Sequence, residues 1–284
     1  MSVKDVVIDA LATKPCRWLL TSLERNSIGM EALNTVSYPR CVFRSFEEAW
    51  RAARRVSYAG HDHPDYLQFQ AGLAGKLRPS DYAVLYWLLR TGANPLRVLD
   101  FGGSVGNVYY SYADHLRKFA GDLEWTVIDL PKTVEEGQRM AMERGERGLR
   151  FTSTLAGLEG NFIVLVSSAF HYWEKTVGEF IVQLPFNPEH IIVNRVPVNE
   201  KERTFVTVQY KKTFAVPCMV RNSIELVSDF AGAGYRLVDS WTAPELRLRM
   251  PLFPGHDVSA YSGFYFCRQD AKTKSENCSS REAA

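Results

Sequence analysis

From residue 96 onward, short apolar runs alternate with stretches of helical periodicity. Strands are predicted at Val98–Phe101, Glu124–Asp129, Leu149–Thr152, Phe162–Val166 and His190–Arg195. Phe162-Ile163-Val164-Leu165-Val166 has no polar position, as expected of a strand covered on both faces. Helices are predicted between these runs, over about residues 105–119, 132–144 and 174–184. Strand and helix in regular alternation predict a mostly parallel sheet. Thr204–Gln209 reads as an inserted hairpin strand, and Ser223–Ala233 as a helix ended by Gly232 and Gly234. Tyr235–Trp241 and Tyr261–Cys267 read as closing strands.

The chain before residue 93 has helical spacing without a strand pattern. Ser2 caps a helix whose Val3, Val6, Val7, Ala10 and Leu11 share one face, a stripe suited to docking or to a homodimer. Ser45 caps a second helix, to Tyr58, in which Glu48 closes a capping box. Ser80–Arg90 is strongly apolar through Ala83, Val84, Tyr86, Trp87 and Leu88, and Thr91–Pro95 ends it. The expected organisation is a helical N-terminal region (1–92), one α/β domain (93–269) and a disordered tail (270–284) rich in Lys, Ser and Glu.

Composition narrows the function. A chain of 284 residues, 46% hydrophobic, buries a sizeable core, and a net charge of +2 gives no global field to attract nucleic acid. The apolar runs are far short of a membrane span, and residues 1–9 lack the layout of a signal peptide. The five cysteines are odd in number and form no Cys-x-x-Cys, which fits free thiols in the cytoplasm. Arg51, Arg54 and Arg55 form a basic cluster, read as a solvated helix face with Glu47 placed to pair with Arg51. His61, Asp62, His63 and Asp65 surround Pro64 in a turn-rich loop; they match no ligand spacing, so no metal is expected, and the loop reads as substrate-facing.

The chemistry centres on Arg97-Val98-Leu99-Asp100-Phe101-Gly102-Gly103-Ser104-Val105-Gly106-Asn107, a strand entering a glycine-rich turn and a helix. Such a turn lets a ligand approach bare backbone, and the helix start behind it favours a negative group. The second strand then ends in Asp129, the layout of a nucleoside site in an α/β sheet. Counting Gly-x-Gly-x-x-Gly from Gly102 puts Ser104 and Asn107 where a dinucleotide fingerprint needs glycine. The pattern Asp100-x-Gly102-x-Ser104-x-Gly106 instead resembles motif I of class I S-adenosylmethionine-dependent methyltransferases, with Ser104 in the place of the middle glycine.

More narrowly, the chain resembles a group of methyltransferases often encoded with bacterial polysaccharide-biosynthesis genes. The resemblance rests on Ser45-Phe46-Glu47-Glu48-Ala49, Val98–Gly106 with Tyr109-Tyr110, Trp125–Pro131, Ser167-Ser168 with His171-Tyr172, Asn194–Val198 and Thr207-Val208-Gln209. It implies a seven-stranded Rossmann-like sheet and S-adenosylmethionine as cofactor. The implied reaction is methylation of a small polar acceptor, such as a sugar hydroxyl. By that likeness Gly102, Gly103, Ser104 and Gly106 cradle the methionine part, and Asp100 orients the turn and the amino group. Asp129, with Leu130 beside it, takes the ribose; Thr152 and Ser153 lie near the adenine, and Ser168 completes the cofactor set. His171, leaving the carboxyl end of the fourth strand, is the candidate base, its unperturbed pKa of ~6.5 suiting proton uptake at neutral pH. Tyr109, Tyr110, Tyr172, Trp173 and Arg195 are candidate acceptor-site residues. Two rivals share the sheet: an NAD(P)-dependent oxidoreductase, disfavoured by the glycine spacing and the lack of Tyr-x-x-x-Lys, and a catalytically silent cofactor-binding scaffold.

Overall fold

The computed structural model describes residues 41–54, 61, 64–210 and 215–269, with 10, 13 and 16. The expected first helix and the tail after residue 269 lie outside the described residues, as do Arg55, Asp62 and His63. The elements run α1 (Phe46–Ala53), α2 (Pro64–Ala71), α3 (Asp81–Arg90), β1 (Leu96–Phe101), α4 (Asn107–Ala120), β2 (Leu123–Ile128), α5 (Pro131–Glu143) and β3 (Leu149–Thr152). Then come β4 (Ile163–Ser167), α6 (Val177–Val182), β5 (His190–Val196), β6 (Val198–Asn199), β7 (Phe205–Tyr210), β8 (Ala215–Asn222), α7 (Ser223–Gly232), β9 (Tyr235–Ala243) and β10 (Tyr261–Arg268).

Seven strands form one sheet in the order β3-β2-β1-β4-β5-β10-β9. The first five are parallel, and β10 runs antiparallel between β5 and β9. A dinucleotide-binding sheet has the order 3-2-1-4-5-6; here an antiparallel strand separates β5 from β9. The sheet has the Rossmann-like class I methyltransferase fold.

Alternation along the strands divides the core into two layers. On one face Leu96, Val98, Trp125, Leu165 and Ile192 meet Val84 and Leu88 of α3 and Tyr112 and Leu116 of α4. On the other, Leu99, Val164, Val166 and Val193 meet Phe180 of α6 and Leu226 and Phe230 of α7. All five residues of β4 are buried, as its unbroken apolar run predicts.

Three local readings change. Pro64, expected inside a turn-rich loop, opens α2, because the first helical position needs neither a free N–H nor a different φ. The helix expected over 174–184 shrinks to Val177–Val182, started by a capping box between Thr176 and Glu179. The inserted hairpin strand has a partner that the sequence concealed: Pro217 stands within β8, opposite Val208. Proline is tolerated there because β6 pairs with β8 only at Arg221 and Asn222, leaving β8 one partner strand around Pro217 among the described residues. β6, β8 and β7 form a second, three-stranded sheet. α1 packs Phe46, Ala49 and Ala53 on one face of it, and Leu248, Met250 and Tyr261 cover the other.

The N-terminal part is fastened to the main sheet by a buried ion pair. Arg195 Nη2 and the Tyr112 hydroxyl both donate to Asp81 Oδ1, and the Arg78 amide donates to Asp81 Oδ2 at 2.8 Å. Asp81 is 1% exposed and Arg195 5%. Removing one partner of such a pair strands the other charge away from water. Asp81→Ala is therefore expected to cost about 3–5 kcal/mol in urea unfolding. A loss below about 1 kcal/mol would show that the pair is not a fastening.

Candidate active site at the carboxyl edge of the sheet

Among the described residues, three that are not glycine adopt left-handed backbone: Ser104 (φ 56°), Ser168 (φ 61°) and Arg195 (φ 57°). They stand at the carboxyl ends of β1, β4 and β5, which are neighbours in the sheet. Each such conformation costs roughly 1–3 kcal/mol and persists only where the surroundings dictate it. Ser104 explains itself in part: it occupies the place where motif I has its middle glycine, and the backbone there still needs the glycine conformation.

The turn after β1 is closed by protein contacts more fully than the sequence suggested. A Cβ on Gly102 would stand 2.5 Å from Cβ of Ala169, so the close approach that Gly102 permits is to the loop after β4. A Cβ on Gly103 would strike the Asp100 carboxyl group. Gly106, at φ 86°, ends the turn as the N-cap of α4. Two of the amides expected to receive a ligand carboxylate are already engaged. The Ser104 N–H donates to Asp129 Oδ2 at 2.8 Å, and the Gly106 N–H to the Gly103 carbonyl at 3.1 Å.

Asp129 also accepts from the Leu130 amide at 2.7 Å and from the Thr133 hydroxyl. The carboxylate is fixed while lone pairs remain for a ligand. Burial raises its pKa, against the lowering effect of those three bonds. Leu130, 45% exposed, and Ser153, exposed just beyond β3, border the same edge.

Asp100 is fully buried beneath Gly103. The Trp125 indole N–H donates to its Oδ2 at 3.1 Å, and its Oδ1 has no partner. Burial pushes the carboxyl up to about 7, the indole bond opposes this, and the Asp129 charge adds to it while Arg195 counters it. Other buried polar atoms without a partner gather at this edge: Ser104 Oγ, Asn107 Oδ1, His171 Nδ1, Arg195 Nε and Glu245 Oε2. Buried polar groups are nearly always satisfied, so this concentration marks a place that a polar ligand would complete.

His171 lies in a short 3-10 turn, Phe170–Tyr172, and is 3% exposed. Its ring leans on Tyr172 at 4.1 Å and faces the edge of Tyr261 at 6.0 Å, and His61 contacts Tyr172 from beyond. Burial, reinforced by His61, lowers its pKa to about 3. The imidazole is therefore neutral at pH 7 but a far weaker base than its ordinary value implies.

Two candidate acceptor residues are reassigned. Tyr109 is fully buried; its hydroxyl donates to Glu146 at 2.7 Å and accepts from Arg117, which commits it to the core. Arg195 is held in the ion pair with Asp81, and its buried Nε has no partner. Tyr172 stays beside His171, with its hydroxyl donating to Gln209 Oε1 at 2.9 Å. Among the described residues no group of three or more His, Cys, Asp or Glu is placed to hold a metal ion.

Residues that the sequence reading left without a role complete the edge. Ser80 donates to Glu245, Trp241 Nε1 donates to Asn194 Oδ1 at 3.0 Å, and Asn107 Nδ2 donates to Gln70 at 2.6 Å. Asn194 and Gln209 at least fall in stretches that carry the resemblance. Gln70, Ser80 and Glu245 had no local signal.

No family model and no curated protein matches the chain. Solved structures similar to it include magnesium protoporphyrin IX methyltransferase from Synechocystis with bound SAM, at 16% identity and TM-score 0.43, covering 95% of this chain and 98% of that one. Burkholderia thailandensis 1,6-didemethyltoxoflavin-N1-methyltransferase matches at 17% identity and TM-score 0.43, over 69% of this chain and 93% of that one. A S-adenosylmethionine-dependent methyltransferase from Clostridium acetobutylicum matches at 8% identity and TM-score 0.45, over 67% and 91%. The strand order, rather than these figures, carries the fold assignment. No helix among the described residues is long and apolar enough to cross a membrane.

The two perturbed groups pull stability in opposite directions with pH. Between its ordinary 3.8 and about 7, Asp100 holds a proton only in the folded chain, so its contribution falls as pH rises. His171, between about 3 and its ordinary 6.5, holds a proton only in the unfolded chain, so its contribution rises with pH. Asp100→Asn removes the falling part. Its stability relative to the parent protein should increase from pH 4.5 to pH 7 by up to about 1.4 kcal/mol per pH unit. Urea unfolding at both pH values tests this, and an unchanged difference would return Asp100 to an ordinary carboxylate.

Proposed function

We propose that the protein is an S-adenosylmethionine-dependent methyltransferase acting on a small polar acceptor, with O-methylation of a hydroxyl compound as the reaction. The observation that carries this reading is the pair of carboxylates at the ends of β1 and β2, anchored around a left-handed turn on a sheet of this strand order. When bound, the cofactor supplies a methyl group on a sulfonium that is already electrophilic. The residues present fit it. Asp100 Oδ1, buried and unpartnered, suits the ammonium of the methionine part; Asp129, oriented by two backbone amides, suits the ribose hydroxyls. Gly102, Gly103, Ser104 and Gly106 shape the turn between them, and Leu130, Ser153 and Ser168 border it.

The remaining work of such a site is alignment, worth up to ~7–11 kcal/mol. His171 Nδ1, buried without a partner, would accept a hydrogen bond from the acceptor hydroxyl and orient it. With its pKa lowered to about 3, the imidazole serves as an orienting acceptor more than as a proton sink. A sugar hydroxyl is the acceptor class that the sequence resemblance adds. Residues 1–92 serve as the cover of this site in our reading. Supporting contacts are Gln70 to Asn107, His61 to Tyr172 and Trp50 Nε1 to Glu174 at 2.8 Å.

Calorimetry with S-adenosylmethionine, its demethylated product and NAD is expected to give heat with the first two only. Binding of NAD with no heat from either methionine nucleoside would overturn the proposal. Asp129→Ala should weaken binding of the demethylated product at least about tenfold, with Asp129→Asn between, since charge-assisted bonds contribute roughly 1.5–3 kcal/mol each. Lost stability with unchanged affinity would confine Asp129 to the Ser104 turn. Once an acceptor is in hand, His171→Ala should lower turnover by about 10², the low end for such groups, with cofactor affinity kept. An unchanged rate would make His171 a packing residue.

A further inference from the structure

The chain between β5 and α7 forms the second sheet, and two of its side chains reach the loop that carries His171. Arg221, on β8, is 5% exposed. Its Nη2 donates to the carbonyls of Trp173 and Lys175, each at 3.2 Å, and its guanidinium lies over the Phe170 ring at 5.0 Å. Gln209, on β7, accepts from the Tyr172 hydroxyl at 2.9 Å and donates to the Tyr261 hydroxyl at 3.4 Å. Tyr172 and Tyr261 are the two rings against His171. Phe170, Tyr172, Trp173 and Lys175 are thus each held from the second sheet. His171 stands in their midst with Nδ1 unbonded.

The choice of arginine needs a reason. Burial lowers the Arg221 pKa to about 10, and the acidic neighbour Asp229 acts on it only through space. Its hydrogen bonds go to neutral carbonyls, and its Nε has no partner. A buried charge with such partners is costly, and an apolar side chain of similar size would serve a merely structural position at least as well. What arginine adds is a terminal Nη2 whose two N–H groups reach two carbonyls of one loop while the planar guanidinium covers the Phe170 ring.

We propose that Arg221 and Gln209 are positioning residues of the methyl-acceptor pocket, holding loop 170–175 so that the His171 imidazole stays buried with one nitrogen open to the acceptor. The word acceptor rests on the methyltransferase reading; the positioning itself does not. The second sheet is then a brace for the reacting edge, and its fit to the loop sets the shape offered to the acceptor. Among the described residues, the groups facing His171 are His61, Tyr172 and Tyr261. With a histidine and two phenols as its neighbours, the imidazole's environment reports on the brace directly.

The test uses the full chain with isotopically labelled histidine, the His171 imidazole being assigned by its loss in His171→Gln. Arg221→Met and Gln209→Leu are each expected to raise the His171 titration midpoint by at least about one pH unit, as water reaches the loosened ring. Affinity for the demethylated cofactor product should stay within about twofold. Arg221→Lys, which keeps the charge and N–H donors but loses the planar group over Phe170, should restore part of the parent behaviour. Gln209→Leu buries no new charge and keeps the proposal testable should Arg221→Met fail to fold. Unmoved His171 signals in folded Gln209→Leu, or loss of cofactor-product affinity together with the His171 shift, would overturn the positioning role. Failure of the parent protein to bind that product would overturn the methyltransferase reading instead and leave the imidazole measurement standing.

Discussion

The hydrogen bond from the Ser104 amide to Asp129 joins the turn after β1 to the end of β2, and the carboxyl edge of the sheet is arranged around it. It holds Ser104 in a backbone conformation that a side-chain-bearing residue adopts only under constraint. It also fixes one oxygen of Asp129, while the Leu130 amide fixes the other. Beneath, Asp100 fills the space that a side chain on Gly103 would need. The composition of the turn follows from these contacts: glycine is required where protein atoms press closest, and serine is accepted where an amide bond compensates.

Charge is the second constraint on this edge. Asp100, Asp129, Asp81, Arg195 and Glu245 gather where β1, β2 and β5 end and α3 begins. Asp81 and Arg195 neutralise each other and tie α3 to β5. Asp100 has only an indole N–H, and burial answers by raising its pKa rather than by recruiting a cation. The same physics acts with opposite sign on His171, which loses its charge instead of gaining a proton. Four carboxyl groups thus stand against one guanidinium in this set, an acidic excess that suits a ligand bringing a positive charge.

The second sheet gives the fold its individual character. α1 and the segment around Leu248 enclose it, and Gln209 and Arg221 extend from it to the loop after β4. Loops at the carboxyl edge of an open α/β sheet usually carry the function, and here one of them is braced from outside the sheet.

Hydrophobic pattern located the strands of the main sheet, and the resemblance to methyltransferases implied their number; their order came from the fold. The unbroken β4, the strand that ends at Asp129 and the glycine-rich turn were legible because strand alternation and turn chemistry are local properties of the chain. The departure from dinucleotide spacing was legible for the same reason. Tertiary structure decided which side chains were already engaged. Tyr109 looked available until Glu146 claimed its hydroxyl, and Arg195 until Asp81, 114 residues away in sequence, claimed its guanidinium. His171 was recognised by its position, but its basicity was not, because pKa depends on burial that a sequence does not display. β8 was hidden by Pro217, whose tolerance rests on how few residues of β6 lie beside it. Local order follows from local sequence; partnership between distant side chains is fixed only when the chain has folded and water has been excluded from between them.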